Sequence, residues 1–268
     1  MEIVHSVADL RGAILFHRRA GRSVGFVPTM GMLHDGQLSL ARRARIQNGC
    51  VVVSRAPGEE RDEARDTTLL ERERVDIAFV PDQETLASTD DLTRVMVEGL
   101  TSRLEGASRP GYLDGLATVT LKLLHLVGPA RLYLGQKDAQ RVVVLRRMVR
   151  DLSVNVELVI CPTVRDPDGL AVSSANAALS IEERHAATCL SVALRAAEDT
   201  HASGERSAEV LRARMTETIA AEAMARPDYI SVADADSLAE IQRIERPALA
   251  LLAVWIGRIR LTDNLPLG

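Results

Sequence analysis

Phe26-Val27-Pro28-Thr29-Met30-Gly31-Met32-Leu33-His34-Asp35-Gly36-Gln37-Leu38-Ser39-Leu40 reads as a buried strand running into a glycine-punctuated turn, then the first turn of an amphipathic helix. His34 stands at the turn and Gln37 follows three residues later. Such a turn aims backbone N–H groups and the positive end of a helix at whatever binds there, which suits an anion such as a nucleotide phosphate. A histidine at a helix start also has a plain structural explanation, as a cap or a half-exposed ring. The local sequence leaves both open.

The surrounding pattern extends the strand–helix alternation. Val24–Pro28 is a short apolar run and Gln37–Asn48 carries apolar residues at helical spacing. Cys50–Ser54 is apolar and β-branched, Glu59–Arg74 is charged and helix-like, and Asp76–Pro81 reads as another strand. A helix around Leu116–Val127, a strand Arg131–Leu134, a helix Ala139–Asp151 and a strand Val154–Ile160 continue the series. This order predicts an α/β fold with a parallel sheet and crossover helices.

Beyond Ile160 the character changes. Asp166-Pro167-Asp168-Gly169 is a strong turn signal inside Thr163–Ser174, which reads as a hairpin. Ser180-Ile181-Glu182-Glu183 fits a capping box that opens an alanine-rich helix to about Ser203. A helix over Ser207–Met224 and strands at Tyr229–Val232 and Ala248–Ile256 follow. A boundary is expected near Asn176–Ser180, with residues 1–176 as the nucleotide-binding domain and 177–268 as a smaller α+β domain.

Three further segments carry groups suited to phosphate. Gly135-Gln136-Lys137-Asp138-Ala139-Gln140 lies between a strand end and a helix start. In an open α/β sheet ligands bind outside the carboxyl ends of the strands, so Lys137 stands where a phosphate-facing cation belongs. A cation in a helix's first turn is mildly unfavourable without an anion beside it. No Gly-x-x-x-x-Gly-Lys-Ser/Thr loop occurs in the chain. Ser173 and Ser174, leaving the hairpin, can donate to phosphate oxygens together with nearby N–H groups. Arg109-Pro110-Gly111-Tyr112-Leu113-Asp114-Gly115 is a glycine-rich loop that serves equally well as an ordinary connection.

Composition bounds the rest. The 268 residues carry a formal net charge of −4, which argues against nucleic acid as a partner. No apolar run reaches the roughly 18 residues of a membrane span, and Met-Glu-Ile-Val-His does not resemble a signal peptide. Cys50, Cys161 and Cys189 lack metal-ligand spacing, and a reducing cytoplasm is expected. Of 33 basic residues only Lys122 and Lys137 are lysine. Where arginine is so favoured, a retained lysine points to a place that needs a compact charge. Lys122, inside an apolar helix pattern, is expected to snorkel or to pair structurally.

Taken in order, these segments resemble the pantothenate synthetase family, ATP-dependent ligases that join pantoate to β-alanine. The matching residues are Pro28-Thr29-Met30-Gly31, His34-x-Gly36, Arg109-Pro110-Gly111, Ala117-Thr118-Val119 and Gly135-Gln136-Lys137-Asp138. Thr163-Val164-Arg165, Asp168-Gly169-Leu170-Ala171, Ser173-Ser174, Asn176 and Leu179-Ser180 continue the match, and Arg260-Leu261-Thr262-Asp263-Asn264 closes it. The resemblance implies a Rossmann-like nucleotidyltransferase fold with a lid-like C-terminal domain, usually a homodimer. It implies that pantoate attacks the α-phosphate of Mg-ATP and that an amine then displaces AMP. By the same resemblance His34, Lys137 and Gln37 are the catalytic positions. Met30, Gly31, His34, Gly135, Lys137, Asp138, Val164, Val172, Ser173 and Ser174 would line the nucleotide site. Pro28, Thr29, Met30 and Arg141 would face the acid. Mg²⁺ would be carried by the nucleotide, with no protein metal site.

Several positions depart from the family pattern. Gln37 stands for the second signature histidine, and Ala175 for the arginine of Ser-Ser-Arg-Asn. Arg141 stands for a pantoate-binding glutamine, and Tyr112-Leu113 for His-Phe. After Val51–Ser54 the chain passes to Arg55-Ala56-Pro57-Gly58 instead of Phe-Val-Asn-Pro-x-Gln-Phe, which carries the other pantoate glutamine. Losing one donor aimed at developing charge costs on the order of 10²–10³ in rate. The expectation is therefore a weak catalyst with pantoate unless Arg141 or Arg55 compensates. A related acid as substrate, or a nucleotide-binding partner subunit without catalysis, are the alternatives.

Overall fold

The computed structural model describes residues 1–29, 32–55 and 62–268. In chain order the elements are β1 (Glu2–Val4), α1 (Val7–Arg19), β2 (Val24–Thr29), α2 (Asp35–Gln47), β3 (Cys50–Arg55), α3 (Glu63–Arg72), β4 (Ile77–Phe79) and α4 (Gln83–Leu86). Next come α5 (Glu105–Ser108), α6 (Tyr112–Val127), β5 (Arg131–Gly135), α7 (Ala139–Asp151) and β6 (Glu157–Cys161). The last are α8 (Ile181–Ala186), α9 (Cys189–Ala202), α10 (Ala208–Ala220), β7 (Ala225–Asp234), β8 (Ala248–Ile256) and β9 (Ile259–Leu267). Single 3₁₀ turns cover Gln136–Asp138 and Ser174–Ala178.

The chain packs as two units. One comprises Met1–Thr101, Gly111–Gly135 and Val144–Pro162; the other comprises Ser102–Pro110, Gln136–Val143 and Thr163–Gly268. A single cut near Asn176 does not describe this division. The Lys137 turn and the Thr163–Ser174 hairpin pack with the C-terminal residues, through contacts whose partners lie more than ninety positions away.

The first unit holds a parallel sheet in the order β1-β4-β3-β2-β5-β6. Every residue of β2 and β3 is buried, as expected for central parallel strands covered on both faces. Gly25 is required where β2 passes Asn48 and Tyr133, because a Cβ there would lie 2.5 Å from the Asn48 amide nitrogen. That nitrogen donates to the Tyr133 hydroxyl at 2.7 Å. The strand order reverses between β2 and β5, so the sheet's switch point lies between the ends that carry Thr29 and Gly135. Lys122 donates from Nζ to Asp91 Oδ2 at 3.3 Å, the structural pairing expected of it.

In the second unit the antiparallel sheet β7-β8-β9 packs on α9 and α10 through buried Leu190, Leu194, Leu211, Met215, Leu252 and Val254. Ser180 and Glu183 make the expected capping box, each side chain receiving the other's main-chain N–H. The helix it opens is shorter than its alanine content suggests. It breaks at Ala187–Thr188, where the Thr188 N–H and hydroxyl both turn back to the His185 carbonyl and Ser191 Oγ donates to the Thr188 carbonyl. Hydroxyls that compete for helix carbonyls interrupt the ladder. Strand β7 is longer than Tyr229–Val232 and bulges at Asp228, the unpaired residue between Pro227 and Tyr229.

Candidate functional site

In the first unit β2 leads to His34, the N-cap of α2, with extended backbone (φ −134°, ψ 167°). The Gln37 side-chain oxygen accepts the His34 main-chain N–H at 3.3 Å, the return half of a capping box. Gln37 thus closes the turn on which His34 stands. Thr29 spends its hydroxyl on the Ser54 carbonyl at 2.9 Å, a strand-to-strand tie at the switch point. Pro28 and Thr29 are buried in β2, while Met30 and Gly31 lie outside the described residues.

The approach to His34 is held by a buried acid. Asp66 Oδ1 accepts the Leu33 N–H at 3.0 Å. The same carboxylate faces Arg55 at 3.7 Å, and Arg55 reaches Glu63 Oε1 at 3.1 Å. Arg55 is therefore already matched by two carboxylates, and it is no spare cation for the missing histidine. Of the shortened segment after β3, residues 56–61 fall outside the described residues.

In the second unit Lys137 sits in the 3₁₀ turn that follows Gly135. Among the described residues no carboxylate lies within ion-pair reach of its ammonium, although it is half-buried. Asn264 holds the turn from behind: its Nδ2 donates to the Gln136 and Lys137 carbonyls at 2.9 and 2.7 Å. Its Oδ1 accepts from Gln136 Nε2 at 2.9 Å. Asp138 faces Arg141 at 4.0 Å, at the limit of an ion pair. Arg141 Nε is buried without a hydrogen-bond partner among the described residues.

The hairpin brings the serines to the lysine. Gly169, at φ +93°, donates its N–H to the Asp166 carbonyl at 2.8 Å and closes the turn. Val172 N–H donates to the Val164 carbonyl at 2.9 Å, so these two residues pair with each other. Lys137, Ser173, Ala175, Asn176, Arg260 and Asp263 line a cavity with about 40 Å³ of water-sized space, enough for roughly three waters. Ser173 Oγ accepts the Ala175 N–H at 3.3 Å, and Ser174 begins the 3₁₀ turn beyond it.

The other charged side chains that line this cavity, Arg260 and Asp263, are paired. Arg260 donates to both oxygens of Glu105 at 2.7 and 3.0 Å and to Asp228 Oδ2 at 2.7 Å, and lies over the Tyr229 ring. These bonds hold its guanidinium charged, and against burial the Ser108 hydroxyl at 2.7 Å and Arg260 together hold the Asp228 carboxyl below the usual range. Burial, with Glu105 adjacent, pushes the Tyr229 phenol well up. Arg165 is paired with Asp263 at 2.6 and 3.0 Å. Among the described residues Lys137 is thus the cavity cation without an acid.

Within this unit the structure gathers Lys137 and Ser173, two of the expected positions, around one cavity. Sequence reasoning missed Asp66, Asp263 and Asn264 as supports. For Asp263-Asn264 the only signal was its presence in the matching C-terminal stretch; for Asp66 there was none.

The comparisons agree across the chain. The sequence model of the family described as Pantoate-beta-alanine ligase matches residues 2–55 and 58–266. The chain is 47% identical over 276 residues to a pantothenate synthetase of Roseiflexus sp. (strain RS-1), covering 98% of each. It is 48% identical over 259 residues to that of Acidobacterium capsulatum, covering 92% of this chain and 87% of the relative. The crystal structure of pantothenate synthetase from Thermus thermophilus superposes with a TM-score of 0.92 at 41% identity, covering 99% of both chains. The pantoate-beta-alanine ligase of Francisella tularensis, complexed with beta-gamma ATP and beta-alanine, matches with a TM-score of 0.77 at 29% identity, over 99% of this chain and 97% of that one. The family model matched over residues 2–55 and 58–266, together with 47% identity along nearly the whole length, places the chain in the pantoate–β-alanine ligase family.

Proposed function

We propose that the protein is an ATP-dependent carboxylate–amine ligase that joins pantoate, or a closely related acid, to a β-alanine-like amine. A carboxylate oxygen of the acid attacks the α-phosphorus of ATP, the bond to the β-phosphate oxygen breaks, and pyrophosphate leaves. The amine then attacks the acyl carbon of the adenylate and AMP leaves. Negative charge grows on the phosphoryl oxygens in the first step, so fixed donors and cations aimed there lower the barrier.

The observation that carries this reading is Lys137: a half-buried ammonium with no carboxylate in reach among the described residues, beside Ser173 in a small cavity. In this reading Lys137 and His34 stabilise the developing charge, and Gln37 supports His34. Gly135, Asp138, Val164, Val172 and Ser174 shape the nucleotide surroundings together with Met30 and Gly31. Arg141, with its buried Nε, takes the acid's carboxylate in place of an amide. Magnesium arrives on the nucleotide. A homodimer in the cytoplasm is the assembly and location we infer. The reading of a non-catalytic partner subunit finds no support in the match along the chain.

The test is pyrophosphate release from ATP and magnesium with a panel of small hydroxy acids including pantoate. Release is expected with at least one acid, with Lys137→Ala abolishing it. ATP binding without release for any acid would refute the assignment.

A further inference from the structure

Lys137 is on a 3₁₀ turn just outside a strand, where a flexible four-carbon side chain has little to fix it. The two peptide planes that flank its Cα are nevertheless both held. The Gln136 carbonyl, in the plane before it, and the Lys137 carbonyl, in the plane after it, accept from one nitrogen, Asn264 Nδ2. Because peptide planes are rigid, holding both fixes φ and ψ of Lys137 and the direction in which its side chain leaves the backbone.

Asn264 has no donor left for a ligand. An asparagine amide offers two N–H donors and one carbonyl oxygen. Here both donors serve the turn, and Oδ1 accepts from Gln136 Nε2. The residue is itself fixed: 3% exposed, paired with Leu251 in the β8–β9 ladder, its N–H on Asp263 Oδ1 at 2.8 Å. Asp263 in turn is clamped by both terminal nitrogens of Arg165. A rigid line therefore runs from the hairpin through β9 to the lysine turn, and it ends on backbone carbonyls on either side of the cavity's unmatched cation.

We infer that Asn264 is a positioning residue for the adenylation step: it touches no substrate and acts by aiming the Lys137 ammonium. This rests on the proposed role of Lys137. A group mispositioned by about an ångström loses on the order of 10²-fold in rate. Releasing the turn is therefore expected to lower kcat for pyrophosphate release on that order while KM for ATP stays near the native value.

The chain contains two lysines, so growth on lysine carrying ¹³C at the ε-carbon gives a spectrum of two side-chain signals, assigned with Lys122→Arg. In Asn264→Ala the Lys137 signal should narrow and move toward the position of free lysine while that of Lys122 stays. Asn264→Asp, which keeps the shape and exchanges the donors for acceptors, is expected to do the same and covers the case in which the alanine variant fails to fold. An unmoved Lys137 signal in a folded variant overturns the inference. So does a displaced signal beside an unchanged kcat, or a loss confined to KM. Should the native protein release no pyrophosphate with any acid, the ligase assignment falls and the role in catalysis with it, whereas the lysine signals still report whether Asn264 holds the turn.

Discussion

Asp263 is 1% exposed at its side chain, yet its partner Arg165 keeps 28% of its own surface in water. The two partners of this ion pair are therefore unequal in what each leaves behind. Removing Arg165 strands a buried carboxylate, whereas removing the charge of Asp263 leaves a guanidinium that water already reaches. Arg165→Ala is expected to cost about 3–5 kcal/mol. Asp263→Asn, which keeps an acceptor for the Asn264 N–H, should cost about 1–3 kcal/mol. Urea unfolding of the two variants checks the order, and equal losses would refute it.

Ala175 lines the cavity with Lys137, and Gln37 caps the turn of His34. An arginine at 175 would add a second cation to a cavity that has one unmatched. Ala175→Arg is therefore expected to tighten ATP binding about tenfold or more, the worth of one charge-assisted hydrogen bond. Gln37→His can bring a positive charge but gives up the amide oxygen that accepts the His34 N–H, so its gain should appear only together with Ala175→Arg. Calorimetric titration with ATP and pyrophosphate release report the two effects separately, and unchanged binding in Ala175→Arg would refute the first.

The three thiols are buried, and burial pushes Cys50 and Cys189 up to about 12 and raises Cys161 as well. At pH 8 none of them carries appreciable thiolate, the form that reacts. Native protein should therefore show no fast-reacting thiol toward a disulfide reagent, and all three should react after denaturation. A fast native thiol would contradict the burial.

Asp234 accepts from the Ser237 hydroxyl and N–H and faces Arg246, which holds its carboxyl below the ordinary range. A carboxyl depressed in the folded state adds stability above its unfolded value of about 3.9, and that stability is lost as pH falls through the folded value. The melting temperature should drop on acidification below about pH 4, and Asp234→Asn should flatten that drop. Melting curves from pH 3 to 6 would decide, a parallel drop in the variant being the contrary result.

The parallel sheet was readable because its strands are short apolar runs alternating with helical spacing. Strand β3 and helix α7 fall where composition places them, and β8 is an unbroken apolar stretch. The helix break at Ala187–Thr188 was not readable, since it comes from hydroxyls turning onto carbonyls in a segment with no glycine or proline. In the site, Lys137 stood out by rarity and by its place after a strand. Gln37 as a cap did not, because the residue it caps is a histidine rather than the usual serine or aspartate. The role of Asn264, beyond its place in the matching C-terminal stretch, was hidden for a simpler reason. A side chain that grips two carbonyls leaves no mark in the local sequence of either partner.

The hydrogen bonds between Asn264 and the lysine turn join residues 127 and 128 positions apart. During synthesis the strand that ends at Gly135 can form long before its following turn has anything to hold it. The lysine would thus remain loosely aimed until nearly all of the second unit has been made and has folded, since contacts so distant in sequence close late. Ordering the lysine turn becomes one of the final events in the life of the nascent chain, and fragments ending before Asn264 would carry the lysine without the means to direct it.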